Sequence, residues 1–260
     1  MSHPRPQRPD SQDARTQELS AGLDRVHARI AAAAEQAGRD PAELTLVVVT
    51  KFFPAADVLR LAGLGVRDVG ENRDQEAAAK ATQIAQLADR AGLIAPRMHF
   101  IGQLQTNKAA SVAGYAHLVH SLDRPKLARA LSKAAVAGDR ELGVLLQLGL
   151  DTDADAAQGR GGLPPAQARE LADLVAELPG LVLRGVMGVA PLNAGGADAP
   201  DAATQAFARL RCVAKELVAQ HPQAGLISAG MSGDLEQAVA AGATHLRVGS
   251  AILGSRPAHG

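Results

Sequence analysis

The chain has 260 residues, with 27 Lys+Arg balanced by 27 Asp+Glu and only 2% aromatics. A neutral chain with so few stacking rings lacks the basic footprint of a nucleic-acid binder. Its 47% hydrophobic content supports a large core of Ala, Leu, Val and Ile, and the length is ordinary for a one-domain α/β barrel.

Residues 1–18 are rich in Pro, Arg, Gln and Asp and lack the apolar segment of a secretory signal. They are expected to form a disordered tail on a cytoplasmic protein. Leu19, Leu23, Val26, Ile30 and Ala33 then fall on one helical face, which predicts a helix from about Ser20 to Ala37, stopped by Gly38. The run Leu44 to Thr50 is nearly unbroken in β-branched residues, as in a strand buried on both faces of a parallel sheet. It ends in Lys51, before a helix from Pro54 to Leu64.

Val66–Val69 is a second strand, opening into Gly70-Glu71-Asn72 and a helix to about Ala88. Met98–Ile101 is a third, followed by the polar loop Gly102–Lys108, and His117–His120 is a fourth. Ser121 or Asp123 caps the next helix, with Pro125 in its first turn and Gly138 past its end. Leu142–Leu150 is a fifth strand, then comes a Gly/Asp-rich loop from Asp151 to Leu163 and a helix from Pro164 to Leu178. Leu181–Val189 is the sixth, and a loop from Asn193 to Pro200 precedes a long helix ending near Gln220. That helix carries Cys212, the single cysteine, which excludes an internal disulfide or a cysteine-based zinc site and is expected to be buried. Gly225–Ser228, a helix from Ser232 to Ala241, and Thr244–Val248 complete the series.

No run reaches the apolar length of a membrane span. Eight strands alternating with helices predict a single-domain (β/α)8 TIM barrel with an extra N-terminal helix. A doubly wound open sheet is the alternative, but no Gly-x-Gly-x-x-Gly follows the first strand.

Function in such barrels gathers where the strands end. A lysine desolvated against apolar walls loses preference for its ammonium form, and the neutral amine is the nucleophile of Schiff-base chemistry. By itself Lys51 reads as a surface lysine where a strand exits. The segments Ser228-Ala229-Gly230-Met231-Ser232-Gly233-Asp234 and Arg247-Val248-Gly249-Ser250 add glycines that let backbone approach closely and hydroxyls that suit an anion. Asp234 and Glu236 would repel that anion if they faced it, and Ser232 alone reads as a helix cap. Arg247, at a strand end, pairs with a carboxylate or phosphate or faces a heterocyclic nitrogen. A Schiff-base lysine, a phosphate cradle and this arginine together suggest pyridoxal 5′-phosphate.

These motifs, with Val49-Thr50-Lys51, Gly70-Glu71-Asn72, the run His99 to Lys108 and Arg184-Gly185-Val186-Met187, resemble the pyridoxal phosphate homeostasis family. Its members are single-domain barrels related to the N-terminal domain of alanine racemase. The resemblance implies a barrel over 19–257 in which Lys51 carries the cofactor as a lysine aldimine and Asn72 lies beside it. It further implies that Ser228, Gly230, Met231, Ser232, Gly249 and Ser250 hold the phosphate and that Arg247 faces the pyridine nitrogen. Two segments depart from the family pattern: Arg160-Gly161-Gly162 stands for its Lys-Ser-Gly, and Met187-Gly188-Val189-Ala190 for its Met-Ala-Ile-Pro.

The expected role is intracellular pyridoxal phosphate homeostasis, holding the cofactor and supplying or buffering it for apo pyridoxal phosphate-dependent enzymes, without strong catalysis. A small amino-acid racemase is the alternative, and it needs a second acid/base group opposite Lys51. In the racemase relatives that group is a tyrosine from an additional C-terminal domain, which the chain, ending at Gly260, is expected to lack. A class I aldolase shares the lysine and the phosphate site, but its lysine usually comes from a later strand. No membrane or metal is expected: Asp151 to Asp155 opens like a calcium loop, but Ala156 and Gly162 stand where Gly and Glu are needed. Gln103, Asn107 and Lys108 either line the mouth or bind a partner, or are a polar loop whose last residues begin a helix. His99 and His120, with no carboxylate or second histidine at ligand spacing, read as satisfied barrel residues. Met187, Met231 and Tyr115 read as packing.

Overall fold

A computed structural model describes residues 13–150, 161–191 and 202–255. The β-branched run folds as strand β1 (Thr45–Val49), which pairs in parallel with β2 (Asp68–Glu71) on one side and β8 (His245–Val248) on the other. Between them lie β3 (Arg97–Phe100), β4 (Leu118–Leu122), β5 (Leu142–Leu148), β6 (Leu181–Gly188) and β7 (Leu226–Ser228). Each pairs with the next, and the sheet closes in the order β1 to β8. This is the expected (β/α)8 barrel.

The helices are α1 (Ala14–Gln36), α2 (Ala55–Gly63), α3 (Asp74–Ala91), α4 (Ala109–Tyr115) and α5 (Pro125–Ala137), then α6 (Ala168–Glu177), α7 (Ala202–Gln220), α8 (Leu235–Ala240) and α9 (Ser250–Leu253). None among the described residues is long and apolar enough to cross a membrane. The main core lies between barrel and helices and includes Leu23, Val48, Leu61, Val69, Phe100 and Leu246. A separate cluster of Leu118, Leu145 and Met187 is packed by Val189 and Leu226. In-register neighbours on parallel strands point the same way, so Gly70 with His99, and Met187 with Ser228 and His245, form layers inside the barrel.

Several expectations are corrected. Helix α1 starts at Ala14, earlier than Ser20, because the Asp13 side chain accepts from the Arg15 N–H and caps it; residues 1–12 of the expected tail lie outside the described residues. No side chain caps α5, since Ser121 belongs to β4 and Asp123 pairs with Arg124. Helix α8 begins at Leu235, so Ser232 is not its cap; the Asp234 carboxylate accepts from the Met231 N–H instead, at 2.6 Å. The short helix α9 was not anticipated, whereas α4 follows directly on Lys108, as the helix-start alternative for that loop has it. Cys212 is exposed, because the buried stripe of α7 runs through Ala206, Phe207, Leu210, Ala214 and Leu217, leaving Cys212 on the other side. The Asp151 calcium-like segment through residue 160, Arg160 itself, and the Asn193–Pro200 loop lie outside the described residues. Among the described residues no group of three or more His, Cys, Asp or Glu could hold a metal ion.

Candidate functional site

Strand alternation sends Val47 and Val49 inward, and the same side continues to Lys51 just past the end of β1. The next residue, Phe52, has φ 69°, a left-handed conformation that costs a bulky L-residue roughly 1–2 kcal/mol. Arg73 stacks over its ring at 5.3 Å. This turn places Lys51, Phe52 and Phe53 on the wall of a cavity of about 460 Å³ at the mouth of the barrel, a volume suited to a small-molecule ligand.

The ends of β2, β3, β6, β7 and β8 supply most of the rest of that cavity. Asn72 follows β2; Met231, Ser232 and Gly233 follow β7; Arg247 lies in β8, and Gly249 and Ser250 follow it. Val49, Ile101 and Val189 are its apolar walls. The β7 loop turns at Gly230, whose φ of 87° favours glycine and whose added Cβ would lie 2.7 Å from Ala238. The Gly230 carbonyl accepts from the Arg247 N–H at 2.9 Å, tying the two loops together. A Cβ on Gly249 would sit 3.0 Å from the Val49 carbonyl oxygen, so β8 and β1 meet closely there.

The backbone N–H groups of Ser232, Gly233 and Ser250 donate to no described residue, leaving them available to an anion. The acids that threatened such an anion are committed elsewhere: Asp234 to Met231, and Glu236 to Arg29 on α1. Arg247 is buried; Nη1 donates to Ser228 Oγ at 2.6 Å and Nη2 to the Gly188 carbonyl at 2.9 Å. Burial lowers its pKa to about 10, against the attraction of Asp234, so the guanidinium stays charged at neutral pH. Asn72 Oδ1 is buried with no partner among the described residues, an orphaned polar atom on the wall of the cavity.

Seven of the nine expected residues therefore line one cavity: Lys51, Asn72, Met231, Ser232, Arg247, Gly249 and Ser250. Gly230 shapes the loop from behind. Ser228 does not line the pocket; it is fully buried, and its hydroxyl is taken up by Arg247 and His120. Phe52, Ile101 and Val189 were missed, although inward alternation beyond β3 and β6 signals the last two.

Two further clusters were also missed. Glu71, buried at the end of β2, accepts through Oε1 from Thr50 Oγ1 and from Lys80 Nζ, both at 2.6 Å. Asp68, His99 and His120 are bonded to one another inside the barrel, so both histidines do have a carboxylate or histidine neighbour. The departures from the family pattern are accommodated locally. The Gly161 carbonyl accepts from Gln147 Nε2 at 2.6 Å, the Gly188 carbonyl serves Arg247, and Val189 becomes a pocket wall.

Residues 22–257 match the family model of the alanine racemase N-terminal domain. The pyridoxal phosphate homeostasis protein of Mycobacterium tuberculosis is 42% identical over 258 residues, covering 93% of this chain and 94% of the relative. A solved protein of unknown function from Bifidobacterium adolescentis superposes with a TM-score of 0.83 at 34% identity, over 93% of this chain and 96% of that one. PipY of Synechococcus elongatus, solved with pyridoxal phosphate bound, gives a TM-score of 0.72 at 33% identity, over 91% of this chain and all of its own, 100%. The chain belongs to the alanine racemase N-terminal domain family, among its pyridoxal phosphate homeostasis proteins.

Proposed function

We propose that the mouth cavity binds pyridoxal 5′-phosphate and that the protein holds and releases it in the cytoplasm for apo-enzymes, rather than catalysing a reaction with it. The observation that carries this reading is the convergence in one cavity of the Lys51 amine, the Arg247 guanidinium and the serine and backbone donors after β7 and β8. Bound there, the coenzyme supplies an aldehyde that a primary amine captures reversibly and a phosphate monoester that carries negative charge.

Lys51 presents the amine. Ser232 and Ser250 offer hydroxyls and, with Gly233, unpaired N–H groups to the anion, while Met231 and Gly249 shape the rim. Val49, Ile101 and Val189 exclude water from the faces of a ring, and Asn72, whose Oδ1 has no partner among the described residues, meets a polar ring substituent. Arg247 keeps a positive charge in the cavity, which disfavours a second one beside it. Proton transfer at a substrate carbon from both faces needs two acid/base groups. Among the described lining residues the titratable groups are Lys51 and Arg247, and a guanidinium does not give up its proton at neutral pH.

The test is the absorption spectrum of freshly purified protein beside Lys51→Ala. A visible coenzyme band in the wild type that borohydride fixes to Lys51, and that the variant lacks, is expected. The loaded protein should also activate an apo-enzyme. Sustained turnover of single-enantiomer alanine would overturn the carrier reading in favour of a racemase.

A further inference from the structure

A line of buried polar side chains crosses the barrel from the end where the strands begin to Arg247 at the mouth. Arg97 on β3 clasps Asp68 on β2, Nε to Oδ1 at 2.8 Å and Nη2 to Oδ2 at 2.7 Å. Asp68 Oδ1 lies 2.8 Å from His99 Nε2, and His99 Nδ1 lies 2.8 Å from His120 Nε2. His120 Nδ1 lies 2.9 Å from Ser228 Oγ, which in turn accepts from Arg247 Nη1 at 2.6 Å. Asp68, His99, His120, Ser228 and Arg247 are each exposed by 5% or less.

One donor order satisfies every member of the line. Burial pushes the Asp68 carboxyl up, but hydrogen bonds from His99 and Arg97 outweigh it and hold the pKa at about 2. Asp68 therefore accepts, and His99 carries its proton on Nε2. His99 Nδ1 accepts from His120 Nε2–H, and burial keeps His120 neutral, well below the usual imidazole range. His120 Nδ1 is then the acceptor for the Ser228 hydroxyl, whose oxygen takes the Arg247 proton. Every ring nitrogen is used. Such a column is tolerated only when each member is paired, and a barrel interior is more often filled by branched apolar side chains. Leu118, Leu145 and Met187 fill part of this one in that way.

We propose that Ser228, His120, His99 and Asp68 are positioning residues for Arg247. The proposal rests on the coenzyme-binding reading above. Arg247 has two anchors, Ser228 and the Gly188 carbonyl, and together they fix the plane of the guanidinium. Its Nε bonds no described residue, so part of the fork remains for a ligand. The line holds the Ser228 oxygen in the one orientation that accepts from Arg247.

The experiment titrates pyridoxal phosphate into the purified full-length wild type and variants, reading the dissociation constant, the absorption maximum and the thermal unfolding midpoint. Ser228→Ala and His120→Phe should each weaken binding by about tenfold and move the absorption band, because charge beside the ring tunes it. Ser228→Thr, which keeps the hydroxyl, should restore both. Asp68→Ala, three hydrogen bonds away from the Ser228 oxygen, should move the band in the same direction. The Asp68→Ala/His120→Phe double variant should go no further than His120→Phe, since the line is already cut. Folded Ser228→Ala and Asp68→Ala proteins with the wild-type constant and band overturn the proposal. If Asp68→Ala does not fold, the Ser228→Ala and Ser228→Thr pair decides it by the same criterion. A wild type that binds no pyridoxal phosphate overturns the coenzyme reading instead, and this proposal with it.

Discussion

Arg29, on α1, donates through Nη1 to the main-chain carbonyl of Ser232 at 3.1 Å, while its Nε and Nη2 grip Glu236 at 2.9–3.0 Å. The added N-terminal helix thus holds the loop after β7 from outside and draws the Glu236 carboxylate away from the cavity. The ion pair is exposed, so its own contribution to stability is under about 1 kcal/mol. Arg29→Ala is expected to leave the unfolding midpoint nearly unchanged. It should weaken coenzyme binding several-fold, because Glu236 is released and Ser232 loosens. Equilibrium titration beside urea unfolding checks this; equal affinity in the variant would refute the strap.

Directly behind Lys51, the Thr50 carbonyl accepts from Lys80 Nζ at 2.9 Å, and Glu71 Oε1 receives both Lys80 and the Thr50 hydroxyl. Glu71 is fully buried and Lys80 nearly so. Removing one partner of such a pair strands the other charge in low dielectric, at about 3–5 kcal/mol. Lys80→Met should lower the unfolding free energy by about that amount. Glu71→Leu/Lys80→Met together should cost less than Lys80→Met alone, since neither leaves an unpaired charge. Urea denaturation of the single and double variants measures the difference.

The barrel was legible because its evidence is local: β-branched runs, helix stripes and the Gly/Ser loops after the last two strands all lie within short windows. Lys51 and Arg247 could be placed at the mouth because strand ends mark it. What escaped depends on register. Gly70 pairs with His99, and Met187 with Ser228, and no spacing along the chain reveals that Asp68 and His120 will flank His99. Ser228 was misassigned for the same reason: its place in a Gly/Ser motif suggested an anion, whereas its layer in the barrel gives it to His120 and Arg247. Cys212 was misplaced by a phase error on α7, where helical content was evident but the buried face was not.

Gly102 has no room for a side chain. A Cβ there would lie 2.0 Å from the Asn72 carbonyl oxygen and 2.8 Å from its Cα, and backbone cannot swing aside as a side-chain tip can. Gly102→Ala should therefore displace Asn72, costing about 1–3 kcal/mol in stability as an overpacking change and weakening the coenzyme site. Gly114, where added carbon meets nothing within 4 Å, is the control: Gly114→Ala should leave binding unchanged. Paired titration and thermal unfolding distinguish the two, and a Gly102→Ala protein with wild-type affinity would show that Asn72 does not contribute.

Acid should destabilise the fold in two steps set by the far end of the barrel. His245 is held neutral in the folded protein: burial first, then the neighbouring His99, Arg97 and Arg184, lower its pKa to about 4, against the pull of Asp68. An unfolded chain takes up that proton near the ordinary value of about 6.5. Between those values the unfolded state binds more protons, so stability falls as pH drops from about 6.5 to 4, by about 2–3 kcal/mol. His117 and His120 are also lowered, mainly by burial, and act in the same direction. Asp68, held at about 2, adds a second loss below its ordinary value of about 3.9, of about 1–2 kcal/mol after allowing for solvent screening. Urea unfolding should therefore show a plateau above pH 7, a decline towards pH 4, and a further decline below it. His245→Asn should make the first decline shallower by the His245 share and leave the second, because the amide has no proton to gain while His117, His120 and Asp68 still do. A wild-type stability that holds level from pH 7 to pH 4.5 would mean that these imidazoles titrate alike in the folded and unfolded chain.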